Sequence, residues 1–174
     1  MQNFKIPTIE DCFKLLKQCQ TPKHIVRHCE VAADFAVELA KKIAANGTDV
    51  NIDFVHRACL LHDIMRLRGH CHEEEAYELL KEDYPQLALA IRKHAYRSLL
   101  DEKFKPQTIE EKIVYYADKR VMHDKIVPLM ERLEEGHRRN TPAHCKKTAD
   151  TAHIDSLIVE LERELFAAAK ISEE

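Results

Sequence analysis

The sequence predicts an all-α fold, and three observations carry the prediction. Only three glycines occur in 174 residues, at positions 47, 69 and 136, and each falls between periodic segments. No window sustains an apolar/polar alternation of period two. Apolar residues instead recur three and four apart, the spacing of one helix face. A hydrophobic fraction of 45% in a chain of this length supports one continuous core. A single compact helical bundle over residues 1–174 is expected, with no internal repeat and no second domain.

The elements follow in order. Thr8 with Asp11 predicts a capped start, and Ile9, Cys12, Phe13, Leu15 and Leu16 follow at helical spacing. Thr21 reads as the next N-cap with Pro22 at the first helical position, where its missing N–H costs nothing. That helix runs to about Ala45 with Val31, Phe35, Leu39 and Ile43 on one face, and Asn46-Gly47 stops it. A third helix begins near Asn51 to Asp53 and runs through Val55, Cys59 and Leu60 to the pair His62-Asp63, with Gly69 in the loop beyond. The next spans about His72 to Asp83, and Pro85 starts another that reaches His94 and Arg97. Residues 98–107 are expected as a loop. Thr108 caps a long helix through Ile113, Tyr116, Val121 and Ile126, kinked at Pro128 and ended by Gly136. Residues 137–152, polar and without period, are expected as a loop. Residues 154–170 read as an amphipathic helix packing through Leu157, Ile158, Leu161 and Leu165.

Composition excludes several classes of function. A formal net charge of −3 sets up no positive field to draw nucleic acid or acidic lipid. The basic stretches His137-Arg138-Arg139 and Lys146-Lys147 adjoin the acidic run from Glu131 to Glu135, so a nucleic-acid partner is not expected. Residues 1–17 are broken by polar groups and Pro7 and lack a secretory h-region. No stretch approaches the roughly 20 apolar residues of a membrane span. A cytoplasmic location is expected. The six cysteines include no C-x-x-C pair and are read as free thiols. Cys29 and Cys59 fall in apolar helical stretches and read as core, whereas Cys71 lies between His70 and His72. Nucleophilic hydrolase and P-loop chemistry are not expected, because the chain has no G-x-S-x-G elbow and no Gly-Lys-Ser/Thr loop.

The chemistry-bearing residues are His28, the pair His62 and Asp63, His72, His94 and Asp118. Each is a strong metal-ligand type inside a segment that reads as helical. The pair follows Ala58-Cys59-Leu60-Leu61, and Asp118 follows Tyr115-Tyr116-Ala117, so both carboxylates enter apolar surroundings. A buried charge there is costly without a partner, and a cation is one such partner. Adjacent helical residues point about 100° apart, so His62 and Asp63 can share an ion only near a helix end. A second His-Asp pair, His123-Asp124, lies among Met122 and Lys125 and reads as solvated helix surface. Spacing leaves rival chelating pairs open at His24 with His28, four apart, and at His70 with His72.

At this point the residues carry a resemblance. The order His28, then Leu-Leu-His-Asp-Ile at 60–64, then Tyr-Ala-Asp-Lys ending at 119 is similar to the HD-domain metal-dependent phosphohydrolase superfamily, over about residues 22–135. His28-Cys29-Glu30-Val31-Ala32 resembles its first motif, H-x-x-x-V-A, with one residue fewer before Val31-Ala32, and Arg66 stands where many members carry lysine. His72, opening His-Glu-Glu-Glu-Ala-Tyr-Glu-Leu-Leu, and His94, in Ile-Arg-Lys-His, resemble the motifs of the two-metal subgroup. The HD-type hydrolases of symmetrical diadenosine tetraphosphate share that layout. Met65 replaces a usual small residue, Ala76 replaces the glycine of the second-metal helix, and no Gly-Tyr-Pro triplet follows.

The resemblance implies a helical bundle of the HD-domain type. It implies that His28, His62, Asp63 and Asp118 hold one divalent ion, and that Asp63 bridges to a second held by His72 and His94. Fe or Mn suits this mixed imidazole and carboxylate set, with Zn and Ni left open. The expected activity is phosphohydrolysis of a nucleotide by a metal-activated water. Asp63 would orient the water, Arg66 would meet phosphate with its planar fork, and Arg97 and Lys119 would add phosphate contacts. Two readings from other classes stand beside it: a metal- and nucleotide-binding sensor without turnover, and a helical adaptor acting through Leu157, Leu161 and Leu165. A homodimer is compatible with the sequence.

Overall fold

The computed structural model describes residues 5–68, 71–140 and 149–172. Eight α-helices run through them: α1 (Ile9–Gln18), α2 (Lys23–Ala45), α3 (Ile52–Leu61), α4 (His72–Leu80), α5 (Pro85–Arg92), α6 (Ile109–Asp118), α7 (Leu129–Asn140) and α8 (Ala149–Ala169). Short 3₁₀ turns follow α3 (Arg66–Arg68) and α5 (Tyr96–Leu100). Between α6 and α7, β1 (Val121–Met122) and β2 (Lys125–Ile126) form an antiparallel hairpin with Val121 opposite Ile126. The fold is all-α, as the sequence predicts, apart from this hairpin. Among the described residues, no helix is long and apolar enough to cross a membrane.

Helix α2 is the central strut, packed on α3, α6 and α8. Its buried face differs from the one expected. Val31 and Phe35 are only half-buried, while Ala32, Ala33, Ala36 and Ala40 lie fully inside with Leu39 and Ile43. Small side chains let the α3 backbone approach closely, which brings the end of α3 up to His28 on α2. The expected cap at Thr8 forms, with Thr8 Oγ1 accepting from the Asp11 N–H, and Asn51 Oδ1 caps α3 by accepting from the Phe54 N–H. At α8, Ile154, Ile158, Leu161 and Leu165 are buried against the chain's own core and Leu157 is half-buried, so most of that face is used internally.

Five expectations are corrected. Pro22, not Thr21, occupies the N-cap of α2, and the Thr21 hydroxyl instead donates to the Ile64 carbonyl (2.9 Å), tying the start of α2 to the turn after Asp63. The long helix from Thr108 to Gly136 is two helices, because the chain leaves α6 at Asp118 and reverses through the hairpin. His123 sits in that turn with φ 59°. Its side chain and that of Asp124 are exposed, as expected, but on a turn rather than a helix. Gly136 lies inside α7, not at its end. The expected 137–152 loop is helical at 137–140 and 149–152, and its centre, with Cys145, Lys146 and Lys147, lies outside the described residues, as do Gly69 and His70.

Candidate metal centre

Helix ends build the site. His28 lies in α2, His62 caps the C-terminus of α3, Asp63 follows it, His72 opens α4, His94 stands just past α5, and Asp118 closes α6. Three helices, α3, α5 and α6, thus end at these residues. Their C-terminal partial negative charges favour a cation there. His28, His62, Asp63 and His94 are buried, and the side chains of His72 and Asp118 are only 11% and 12% exposed.

The six groups converge on Asp63 and Asp118. Asp118 Oδ1 lies 3.2 Å from His28 Nε2 and 3.5 Å from His62 Nε2. Asp63 divides its oxygens. Oδ2 faces His62 Nε2 at 3.7 Å and His28 Nε2 at 4.0 Å, whereas Oδ1 faces His72 Nε2 at 3.0 Å and His94 Nε2 at 3.7 Å. Two triads have their ligand atoms within 4.8 Å of one another, His28–His62–Asp118 and His62–Asp63–His94, and each could hold a metal ion. His72 belongs to neither and touches the centre through Asp63 Oδ1.

Histidine orientation is fixed from outside. The Nδ1–H of His28 donates to the His123 carbonyl (2.9 Å), that of His62 to the Cys59 carbonyl (2.7 Å), and that of His94 to the Ile91 carbonyl. A carbonyl can only accept, so the proton sits on Nδ1 and the Nε2 lone pair is free to face the carboxylates. His62 and His94 use one local device: each ring, just past its helix, bonds the carbonyl three residues back, which also accepts that histidine's own backbone N–H. His72 Nδ1 lies 3.2 Å from Glu73 Oε2. This outer bonding pattern is the one that holds a histidine ready for a metal.

The inner atoms are left without normal partners. His62 Nε2 and Asp63 Oδ1 are buried and accept or donate no well-formed hydrogen bond. Nitrogen lone pairs facing carboxylate oxygens repel unless a proton or another cation lies between them. Burial alone would depress the His62 pKa, but Cys29, Asp63 and Asp118 together outweigh it and push the imidazole well above its ordinary value. Burial opposes the ionised form of Asp63 as well, and His62, His72 and His94 overcome it, holding the carboxyl well below its usual range. Asp118 is held low in the same way, chiefly by Lys119. Burial dominates at His94 and lowers its pKa below the ordinary imidazole value, favouring the neutral ring. The donor set, the outer bonds and the orphaned inner atoms together fit a metal ion.

The profile of the HD domain family matches residues 25–122, a span that contains all six groups. The chain belongs to the HD domain family. Its relatives include an uncharacterized protein of Methanocaldococcus jannaschii, 30% identical over 67% of this chain and 78% of the relative. Two others are named tRNA (cytidine(56)-2'-O)-methyltransferase. The one from Thermoplasma volcanium is 26% identical over 88% of this chain and 48% of the relative, and the one from Picrophilus torridus is 27% identical over 78% and 42%. This HD domain therefore spans about half the length of those two or less. No solved structure matches the chain.

The remaining sequence candidates fall into three positions. Arg66 lies against the centre, with Nη1 3.0 Å from His72 Nε2 and 3.7 Å from Asp63 Oδ1. Arg97 is exposed and paired with Asp150 (3.3 Å). Lys119 is buried, not open to a substrate: its ammonium donates to Asp118 Oδ2 and to the His94 carbonyl (3.0 Å) and lies over the Tyr115 ring. His24 is exposed and joins neither triad, and Cys71 is exposed at the N-cap of α4. Sequence reasoning missed Lys93 and Glu111. The Lys93 ammonium, one residue before His94, binds both Glu111 oxygens (2.7 and 2.8 Å) in the buried joint between α5 and α6. Glu111 also completes a capping box with Thr108. The motif Thr-x-x-Glu at 108–111 signals that box, but nothing local signals Lys93.

Proposed function

We propose that this HD domain is a metal-dependent phosphohydrolase of the two-metal subgroup, similar to the HD-type diadenosine tetraphosphate hydrolases, acting on a nucleotide or related phosphoester. One observation carries the reading: Asp63 directs its two oxygens at two different histidine groups whose outward nitrogens are committed elsewhere. That is the arrangement a bridging carboxylate requires. His28, His62, Asp63 and Asp118 would hold the first ion, with Asp63, His72 and His94 holding the second; Fe or Mn suits these donors best. Such an ion, when bound, lowers the pKa of water toward neutrality and offsets charge on phosphate oxygens. Asp63 would orient the attacking water and take part in moving its proton. Arg66 offers a planar pair of donors to the non-bridging oxygens of the phosphate. Lys119 is reassigned from substrate contact to positioning, since it pins Asp118 and the His94 backbone together.

A second reading, in which the phosphate belongs to tRNA or a tRNA-derived nucleotide, draws on the names of the two methyltransferase relatives. One screen tests both. Purified protein loaded with Mn²⁺ or Fe²⁺ is assayed for phosphate release and for cleavage products on dinucleoside polyphosphates, mononucleotides and tRNA. Turnover of one class is expected, with a loss of at least about 100-fold in Asp63→Ala. Wild-type protein carrying metal but inactive on the whole panel would favour the sensor reading. Full activity in Asp63→Ala would end the mechanism.

A further inference from the structure

Three acceptors crowd one spot beside Asp63, and among the described residues the guanidinium of Arg66 is the permanent cation that stands against them. His72 Nε2 lies 3.0 Å from Asp63 Oδ1. Arg66 Nη1 lies 3.0 Å from that same His72 nitrogen and 3.7 Å from that same oxygen. A guanidinium has donors and no acceptor, so His72 Nε2 receives the bond through its lone pair. This is the lone pair a metal would use. The guanidinium thereby flanks two groups that face each other lone pair to lone pair at contact distance, and its positive charge offsets their repulsion. His94 Nε2, 3.7 Å away from Asp63 Oδ1, faces the same spot.

The Arg66 backbone keeps it there. Its N–H donates to the Asp63 carbonyl (3.0 Å), so the 3₁₀ turn folds the arginine back over the carboxylate three residues earlier. The side chain is nevertheless 36% exposed, against 7% for Asp63 and 11% for His72, and is the most open group around the spot. It can leave toward solvent without disturbing the core, whereas the histidines cannot.

We infer that Arg66 is an internal counter-cation that competes with the second metal ion for His72 Nε2 and Asp63 Oδ1. The inference rests on the metal-centre reading above and deepens it. It makes the two positions unequal: among the described residues no guanidinium contacts His28, His62 or Asp118 at the first position, and the second ion binds only by displacing the Arg66 guanidinium. Displacement frees Arg66 at the moment the second position fills, leaving its donors available for a phosphate. A like charge left beside a cation opposes binding, so removing the arginine charge tightens the second ion and not the first.

The test uses Mn²⁺ alone as the probe on metal-free full-length protein. Isothermal titration gives the number and affinity of ions, and electron paramagnetic resonance reports the spin-coupled pair that forms only when both positions fill. Wild type, Arg66→Met, Arg66→Lys, His72→Ala and the double variant Arg66→Met/His72→Ala are compared, with circular dichroism to establish folding. In Arg66→Met the second ion should bind at least about tenfold more tightly than in wild type, with the first unchanged, and the coupled signal should appear at lower Mn²⁺. Arg66→Lys, which keeps the charge, should stay nearer to wild type. The gain should vanish in the double variant, because the contested ligand is gone. Second-ion affinity in Arg66→Met equal to or weaker than wild type overturns the inference while leaving the metal centre standing. Wild-type protein that takes up no Mn²⁺, or gains no second ion in Arg66→Met, removes the dinuclear reading and the inference with it.

Discussion

Replacing Lys119 by methionine keeps most of a buried stem and deletes its charge, which tests how the site balances two buried carboxylates. In the native protein Lys119 is 6% exposed, and its ammonium holds Asp118 Oδ2 and the His94 carbonyl. Removing one partner of a buried ion pair costs about 3–5 kcal/mol. Here His28 and His62, 3.2 and 3.5 Å from the other Asp118 oxygen, offset part of that loss. The His94 carbonyl loses a donor, which adds about 1 kcal/mol. The expected net loss is about 3–4 kcal/mol in metal-free protein, a fall of about 10 °C in Tm for a chain of this size. An ion held by His28, His62 and Asp118 replaces the missing charge, so saturating Mn²⁺ should stabilise the variant more than wild type. Urea unfolding followed by circular dichroism, with chelator and with Mn²⁺, measures both quantities. A chelated variant within about 1 kcal/mol of wild type, or equal Mn²⁺ stabilisation of the two proteins, would refute the charge-balance argument.

Three further outcomes are expected. His28→Ala should abolish tight metal uptake, whereas His72→Ala should retain one ion per chain; elemental analysis after dialysis distinguishes them. Thr108→Ala removes the hydroxyl that accepts the Glu111 N–H and should cost about 1 kcal/mol in thermal unfolding; a neutral result would mean that the Glu111 contacts to Gln107 and Lys93 suffice alone. Metal uptake should release protons. The His62 pKa is raised above 6.5, so in metal-free protein its stabilising contribution is present below that value and fades as pH rises through the raised one. Asp63 and Asp118 lie below 3.8, so their contribution is present above that value and fades only as pH falls through the depressed one. Metal needs His62 unprotonated, so the first ion should displace about one proton. Titration calorimetry in buffers of different ionisation enthalpy would count it, and identical heats across buffers would contradict the assignment.

Residue type and order alone made the all-α class and the six-group set legible. Few glycines, helical periodicity and the caps at Thr8 and Thr108 act within a few residues, so they can be read along the chain. The distribution of metal-ligand types, with Asp63 and Asp118 each following an apolar run, marked the centre for the same reason: a buried charge demands a partner wherever it lies. The break of the 108–136 segment was not legible. Its residues keep helical spacing across a hairpin whose stability comes from contacts made by the folded chain, including the His28 ring on the His123 carbonyl across 95 positions. Lys119 and Arg66 were both read as phosphate contacts because both are basic beside ligands. Only the packed structure separated them: Lys119 turns inward onto Asp118 and the His94 carbonyl, and Arg66 folds back through a 3₁₀ turn onto His72 and Asp63. Which lone pairs face inward was likewise a tertiary decision. A histidine's free nitrogen is set by the carbonyl that takes its other proton, and for His28 that carbonyl belongs to a distant turn.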